Sequence, residues 1–216
     1  MLGIGGTSMS GIAAILKKYG FYVTGSDANA SELTDKLIAD GIHVEIGHNL
    51  ADLRTANLVV YSAAINHDDI EMQEARRLNI ETIERSSFLG LLTKYFANTI
   101  CVSGTHGKTT TTSMISVCFL EARKDPTIQV GAILKQIGGN YRVGNSDTFI
   151  LESCEYCEQF LKFHPQSAVV LNIDNDHLDY YKDLDHIKLA FQHFVSLLPS
   201  DGFLVLNMDN ANSADL

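Results

Sequence analysis

The sequence predicts an α/β chain made of two successive domains, each with a mainly parallel sheet. Short apolar strands alternate with amphipathic helices along the whole length. A glycine-rich turn lies at the N-terminus, and a second glycine-interrupted loop follows a buried strand near the middle. Hydrophobic residues make up 45% of the 216 residues and charged residues 19%, so the chain can bury a sizeable core.

The first half has the pattern of a doubly wound sheet. Leu2 and the glycines that follow it predict the end of a first strand and its turn, with most of that strand missing. Ser31 is placed to cap a helix that Gly41 ends. Further strands are predicted at 21–26, 43–46, 58–62 and 81–83, and helices at 10–19, 31–40, 70–78 and 86–95.

The N-terminal turn resembles a dinucleotide-binding fingerprint. Gly3-x-Gly5-x-x-Ser8 has serine at the third glycine position, and Asp27 follows the second strand at the spacing of a ribose-binding acid. The pattern alone favours NAD and a nucleotide-sugar about equally, and a glycine turn without a ligand stays open. The first domain is therefore predicted to be Rossmann-like.

The second loop predicts a phosphate-binding site. It joins the apolar strand 98–103 to a helix predicted at 113–122, and Lys108-Thr109 stands where a lysine would reach terminal phosphates and a hydroxyl would bind Mg²⁺. Val102 occupies the position of the first glycine of a standard loop. The predicted ATP-binding residues are Gly104, Thr105, His106, Gly107, Lys108, Thr109 and Thr110.

Polar residues follow later strands of the same predicted domain. Strands are expected at 128–130, 148–151, 167–172 and 203–207, and a long amphipathic helix at 183–198. Glu152 and His177 come after two of these strands, so both should lie at the edge that holds the loop. Thr109 and Glu152 are typical Mg²⁺ ligands, whereas His177 could bind metal or contact the γ-phosphate. The domain boundary is predicted between residues 97 and 98, giving domains 1–97 and 98–216.

Charge and hydropathy exclude some classes of function. The net charge of −10, with no basic run longer than Arg76-Arg77, argues against nucleic-acid binding. No apolar run approaches the roughly 20 residues of a membrane span, and the N-terminus lacks the pattern of a secretory signal. We therefore expect a cytoplasmic protein with no membrane or nucleic-acid partner. The sequence does not predict an oligomeric state.

Four cysteines are present. Cys101 and Cys118 lie on apolar segments and are expected to be reduced core residues. Cys154-x-x-Cys157 has the spacing of a redox or zinc pair, but it has no second pair and no thioredoxin-type context. Two reduced thiols are the favoured interpretation.

Several motifs together resemble the Mur ligase family, and the resemblance extends over essentially the whole chain. They are Gly3-Ile4-Gly5-Gly6 with Met9-Ser10-Gly11-Ile12-Ala13, Gly25-Ser26-Asp27, Gly47-His48, Ser62-Ala63-Ala64-Ile65, Gly104-Thr105-His106-Gly107-Lys108-Thr109-Thr110-Thr111, Glu152-Ser153-Cys154-Glu155-Tyr156, and Asp176-His177-Leu178-Asp179-Tyr180. The loop combined with the N-terminal turn is most similar to the alanine-adding branch of that family and its close relatives.

The resemblance implies an ATP-dependent ligase that joins L-alanine to UDP-N-acetylmuramate through an acyl phosphate, in peptidoglycan precursor synthesis. It implies catalytic roles for Lys108, Glu152 and His177, with Thr109, Glu152 and His177 as ligands for Mg²⁺. It moves the first domain from NAD to a UDP-sugar site. The residues implied for that site are Gly3, Gly5, Gly6, Asp27, His48 and Ser62.

Departures from the family pattern accompany this resemblance. Ser8 stands where the family usually has glycine, the first strand is short, and the chain stops inside the expected central domain. We therefore expect a fragment with little ligase activity by itself. The alternatives are a recycling ligase that adds a tripeptide, a non-catalytic nucleotide- or UDP-sugar-binding module, and an NAD-dependent oxidoreductase.

Overall fold

The computed structural model describes residues 1–216, which form two compact units, Met1–Phe88 and Leu89–Leu216. The second unit begins earlier in the chain than the predicted boundary at residue 97. Thr93, which precedes the predicted boundary, is hydrogen-bonded within the second unit, because the His164 N–H donates to Thr93 Oγ1 at 3.0 Å. The Thr99 hydroxyl likewise donates to the Thr93 carbonyl at 3.1 Å.

The first unit is an α/β arrangement around parallel strand pairs. β1 pairs with β2 and β3 pairs with β4, all in parallel. Leu2 forms parallel bridges to both Ser26 and Tyr61, so it stands between the two pairs where the predicted first strand ends. The elements of this unit are α1 (Thr7–Lys18), β1 (Thr24–Asp27), α2 (Glu32–Ala39), β2 (His43–Ile46), α3 (Leu50–Leu53), β3 (Leu58–Tyr61), α4 (Ile70–Arg77) and β4 (Glu81–Glu84). The next helix, α5 (Arg85–Thr93), includes residues of both units.

Local signals place these elements. Ser31 caps α2 in a capping box, accepting from the Thr34 N–H while the Thr34 hydroxyl accepts from the Ser31 N–H. Asp69 caps α4 through the N–H groups of Glu71 and Met72. One side of the unit packs into a buried cluster of Leu2, Leu53, Val59, Met72 and Ala75.

The second unit contains one six-stranded sheet in the order β10-β9-β5-β8-β6-β7. All pairs are parallel except β6 with β7, which forms an antiparallel edge. The elements are β5 (Asn98–Ser103), α6 (Lys108–Glu121), β6 (Thr127–Leu134), β7 (Gly139–Arg142), β8 (Thr148–Glu152), β9 (Ser167–Val170), α7 (Leu184–Ser196), β10 (Phe203–Leu206) and α8 (Ala211–Ala214), with 3-10 turns at Lys135–Ile137 and Tyr156–Lys162. The predicted mainly parallel α/β fold is confirmed.

Four features of this unit differ from the sequence predictions. The helix α6 begins at Lys108 rather than at residue 113, because the threonines join it: the Thr112 hydroxyl donates to the Lys108 carbonyl one turn back, at 2.8 Å. Cys118 is exposed on this helix and is not a core residue, whereas Cys101 is fully buried on β5. The predicted strand at 128–130 is also longer, and β7 was not predicted.

No helix of the chain is both long enough and apolar enough to cross a bilayer.

Candidate functional site

The loop between β5 and α6 is shaped by two glycines and one amide side chain. Gly104 and Gly107 have φ of 134° and 84°, backbone conformations that favour glycine. A Cβ on Gly104 would lie 3.0 Å from the Leu171 side chain and 3.1 Å from the Asn172 N–H nitrogen. Asn172 Oδ1 accepts from the His106 N–H at 2.7 Å, and its Nδ2 donates to the His106 carbonyl at 3.1 Å. The loop is therefore fastened to the segment after β9.

Backbone donors at the start of α6 are available to an anion. Gly107 occupies the N-cap position and offers no side-chain cap. The first intrahelical bond runs from the Thr111 N–H to the Gly107 carbonyl, and no protein acceptor faces the N–H groups of Lys108, Thr109 and Thr110. Three unpaired amides at the positive end of a helix are the kind of donor that phosphate oxygens accept from.

Lys108 lies beside this helix end and is already paired. Its Nζ donates to the carbonyls of Gly104 and Thr105 at 2.6 and 3.2 Å and to Glu155 Oε1 at 2.9 Å. The Glu155 side chain is 2% exposed, and its Oε2 is buried with no hydrogen-bond partner. The positive charge is thus held at the loop by a buried carboxylate.

Glu152 and Thr109 meet on the other side of the helix start. The Thr109 hydroxyl donates to Glu152 Oε2 at 3.1 Å, and the Gly131 N–H donates to Glu152 Oε1 at 2.6 Å. A Cβ on Gly131 would lie 2.8 Å from Glu152 Oε2 and 3.2 Å from Thr109 Oγ1, so only glycine leaves this space open. A hydroxyl and a carboxylate at this separation form an oxygen donor set that suits Mg²⁺.

The third predicted catalytic residue, His177, reaches the same cluster. Its Nε2 lies 3.7 Å from Glu155 Oε1, the oxygen that also binds Lys108. His177 has φ of 53°, an uncommon conformation for a residue with a side chain and one that concentrates at functional sites. Its carbonyl accepts from the N–H groups of Tyr180 and Tyr181, both at 2.9 Å, which holds that conformation.

Aromatic side chains surround His177. The Tyr156 ring lies 4.7 Å from the imidazole, and its hydroxyl donates to Asp179 Oδ2 at 2.7 Å. That hydrogen bond raises the pKa of Tyr156 to about 12. Tyr181 is fully buried, and its hydroxyl donates to the Glu155 carbonyl at 2.5 Å. Burial raises the pKa of Tyr181 well above its ordinary range.

In the first unit, the N-terminal turn closes around Asp27. The Gly5 N–H donates to Asp27 Oδ2 at 2.8 Å, and a Cβ on Gly5 would lie 3.0 Å from that oxygen. Gly3 has φ of 72° and passes close to Ser62, whose Cβ would lie 3.2 Å from an added methyl. Gly6 caps α1. The glycines, Asp27 and Ser62 are therefore neighbours.

His48 belongs to a separate cluster in the same unit. Its Nδ1 lies 3.2 Å from Glu71 Oε2 and 3.9 Å from Asp69 Oδ2. Glu71 is 4% exposed. Ser8, at the third glycine position, has its hydroxyl 3.2 Å from Arg85 Nη1.

Sequence reasoning left several site residues without a role. Glu155 follows the end of β8 by a few residues, so the rule that ligands gather at strand ends could have selected it. Glu71 is a charged residue on the buried side of α4, which is itself a signal. Gly131 gave no signal, since its importance depends only on the close approach of Glu152.

Comparison with protein families matches most of the chain to one family. The model described as "Mur ligase family, catalytic domain" matches residues 1–97, and the one described as "Mur ligase middle domain" matches residues 102–216. The chain belongs to the Mur ligase family.

Individual relatives agree with this assignment. The chain is 51% identical to a UDP-N-acetylmuramate–L-alanine ligase of Caldicellulosiruptor bescii over 215 residues, covering 100% of this chain and 47% of that protein. It is also 51% identical to a ligase of the same name from Acetivibrio thermocellus, covering 98% of this chain and 45% of that protein. The chain thus spans about half the length of the curated relatives that it matches.

Solved structures give the same result for the fold. The UDP-N-acetylmuramate–alanine ligase MurC of Thermotoga maritima has a TM-score of 0.88 at 28% identity, covering 99% of this chain and 50% of that chain. The UDP-N-acetylmuramate:L-alanyl-γ-D-glutamyl-meso-diaminopimelate ligase of Neisseria meningitides has a TM-score of 0.86 at 30% identity, covering 99% and 72%.

Proposed function

We propose that this chain forms the UDP-sugar-binding and ATP-binding parts of a ligase that joins L-alanine to UDP-N-acetylmuramate. The main support is the start of α6 in the second unit, where unpaired amides lie next to two contacts: Lys108 and His177 both approach Glu155, and Thr109 contacts Glu152. The 51% identity to curated alanine ligases over the whole chain supports the choice of reaction. Residues 1–97 and 98–216 are the proposed extents of the two binding domains.

The residues of the second unit fit ATP and Mg²⁺. The space beside Glu152 and Thr109, which a Cβ on Gly131 would fill, suits a cation held by their oxygens. When bound, MgATP would supply the γ-phosphoryl group that activates the acceptor carboxylate as an acyl phosphate. Lys108 and the amides of residues 108–110 would bind phosphate oxygens and neutralise their charge. His177 would complete the metal site or bind phosphate directly. The loop residues Gly104–Thr110 form the proposed ATP-binding segment.

The first unit would bind the UDP-sugar. In this proposal Gly3, Gly5 and Gly6 approach the pyrophosphate through backbone groups, since a side chain at Gly5 would collide with Asp27. Asp27, His48 and Ser62 would lie on the uridine side. Placement in the cytoplasm, without a nucleic-acid or membrane partner, belongs to the same proposal.

A tripeptide-adding ligase is the second candidate. It is supported by the fold of the Neisseria enzyme at 30% identity, compared with 51% for the alanine ligases. A phosphate-release assay with UDP-N-acetylmuramate, MgATP and either L-alanine or the tripeptide separates the two candidates by which acceptor stimulates release. We expect L-alanine to be the preferred acceptor.

Binding provides the decisive experiment, because this chain spans about half of its relatives' length. Calorimetry should detect MgATP and UDP-N-acetylmuramate binding as two separate events. Lys108→Ala should abolish the first event and leave the second. Lys188→Ala, which removes a lysine paired only with Asp215 on the same unit, is the matched control and should change neither. Absence of both events would refute the proposal, and two events without turnover would favour a binding module.

A further inference from the structure

Glu71 is a buried carboxylate, and both of its oxygens are hydrogen-bonded within the first unit. Its Oε2 accepts from the Ser26 hydroxyl at 2.8 Å and lies 3.2 Å from His48 Nδ1. Its Oε1 accepts from the Asn49 N–H at 3.0 Å. The side chain is 5% exposed. One carboxylate therefore connects the end of β1 to the segment that carries His48.

The contact with Glu71 determines which nitrogen of His48 carries a proton. A carboxylate only accepts hydrogen bonds, so the Nδ1 that faces it must be the donor. Asp69 Oδ2, 3.9 Å from the same nitrogen, is too distant to accept a hydrogen bond but adds negative charge on that side. On the neutral ring this leaves Nε2 with a free lone pair. His48 is 56% exposed, so this lone pair is accessible to a ligand.

We infer that Glu71 is a positioning residue for the UDP-sugar site, which fixes His48 in the Nδ1–H tautomer so that Nε2 accepts a hydrogen bond from the nucleotide. This inference rests on the proposed function of the first unit. The ligand group that Nε2 would accept from is a hydroxyl or imide donor of the uridine part. With a hydrogen-bond acceptor at His48 Nε2, the site would favour ligands that carry a hydroxyl or imide donor over ligands that place another acceptor opposite this nitrogen.

His48, Asp69 and Glu71 also have ligand atoms within 4.8 Å of one another, a spacing that could hold a metal ion. Hydrogen bonds already account for this arrangement. Glu71 accepts from three protein groups, and Asp69 caps α4 through its other oxygen. A hydrogen-bonded pair of carboxylate and imidazole therefore describes the cluster without an ion.

Glu71→Gln is a sharp test because it preserves shape and reverses one hydrogen bond. The Asn49 N–H is a backbone donor and cannot become an acceptor, so the glutamine oxygen must stay opposite it. The side-chain NH₂ then faces Ser26 and His48. The Ser26 hydroxyl can rotate to accept, but His48 can accept at Nδ1 only by moving its proton to Nε2. The variant should therefore switch His48 to the tautomer that cannot accept from the ligand.

Two measurements test this on the full chain. Long-range ¹⁵N–¹H spectra of the imidazoles, at an alkaline pH where histidines are ordinarily neutral, should show Nδ1–H for His48 and Nε2–H in Glu71→Gln. Calorimetry with UDP-N-acetylmuramate should show about tenfold weaker binding for Glu71→Gln, the loss of roughly one hydrogen bond. In a His48→Ala background, Glu71→Gln should cause almost no further loss of UDP-N-acetylmuramate affinity. The matched control is Asp52→Asn, which alters a similar carboxylate–imidazole pair with His43 at 3.0 Å and should leave binding unchanged.

The possible failures are distinguishable. If the unsubstituted chain does not bind UDP-N-acetylmuramate, the proposed function of the first unit is overturned. If it binds but His48 carries its proton on Nε2, the role of Glu71 is overturned, and this observation needs no variant. An undiminished effect of Glu71→Gln in the His48→Ala background would also overturn that role, since it would mean that Glu71 acts only through the fold.

Discussion

Lys108 and Glu155 form an ion pair at the edge of the loop between β5 and α6, with Nζ 2.9 Å from Oε1 and only 17% and 2% of the two side chains exposed. Their chain separation is large, and the pair joins the start of α6 to the segment after β8. A charged pair removed from water to this extent stabilises the fold only while both partners are present.

Removing one partner should therefore be costly. We expect Glu155→Ala to lower the free energy of unfolding of the second unit by about 3 kcal/mol, because Lys108 would keep a half-buried charge without its counter-ion. Urea denaturation followed by circular dichroism measures the change. The double variant Lys108→Met/Glu155→Leu should lose much less unfolding free energy than the sum of the losses measured for Lys108→Met and Glu155→Leu separately. Additive losses would mean that the two residues do not act as a pair.

The hydroxyl of Thr109 should matter only when the metal is present. Thr109→Val keeps the shape of the side chain but removes the group that contacts Glu152 at 3.1 Å. We expect about tenfold weaker binding of ATP in Mg²⁺, the loss of roughly one ligand or hydrogen bond, and no change with EDTA. Thr109→Ser should restore the affinity. An equal loss with and without Mg²⁺ would contradict a role at the metal.

Gly131→Ala should damage nucleotide binding more than stability. The added methyl would lie 2.8 Å from Glu152 Oε2 and 3.2 Å from Thr109 Oγ1, so both oxygens must move. Because Gly131 is exposed, the fold itself should tolerate the change. We expect MgATP affinity to fall about tenfold through displacement of the oxygens proposed to bind the metal, with Tm almost unchanged. Ala132→Ser, at the exposed neighbouring position, is the control and should leave affinity as it is.

The thiols should differ strongly in reactivity. Burial raises the pKa of Cys101 to about 12, so this thiol is both inaccessible and protonated at neutral pH. Cys118 and Cys157 are exposed. Iodoacetamide labelling at pH 8, followed by mass spectrometry, should modify those two first and leave Cys101 unmodified until urea unfolds the chain. Early labelling of Cys101 would refute the buried position of β5.

Asp125 should make the second unit sensitive to acid. Hydrogen bonds from Arg142 and Asn145 lower the pKa of this carboxyl from 3.8 to about 2. A carboxyl whose pKa is lowered in the folded state contributes its full stabilisation at any pH well above its unfolded-state pKa. This contribution is lost as the pH falls through the folded-state pKa of about 2. Asp125→Asn should therefore lower Tm at pH 7 but not at pH 2. The same decrease at both values would exclude the charge as its cause.

The sequence was sufficient for most of the fold, because strand and helix periodicities are local. His43–Ile46 and Asn98–Ser103 have the predicted bounds, and Ser31 caps its helix as expected. The start of α6 was not predictable from propensity, because threonine has a poor intrinsic helix preference and yet residues 109–112 join the helix, where the Thr112 hydroxyl donates to the Lys108 carbonyl. Whether Cys118 is exposed depends on how α6 is rotated against the sheet, and the mixed composition of this helix does not specify that rotation.

The candidate sites could be predicted only in part. Strand ends placed Glu152 and His177 at the loop, and the structure brings both there. The partners that hold them, Glu155 and Gly131, become visible only when distant segments are in contact. Glu71 could not be identified from strand ends, because its importance follows from the burial of its charge, and burial is a property of the folded unit.

The two hydrogen bonds between Asn172 and the backbone of His106 have a kinetic consequence. They fix the backbone of the loop in the absence of a nucleotide, so binding of a nucleotide there would not require the backbone to rearrange first. Association should then be fast and nearly the same for ATP, ADP and their analogues. Differences among these nucleotides would appear in how long each one stays bound.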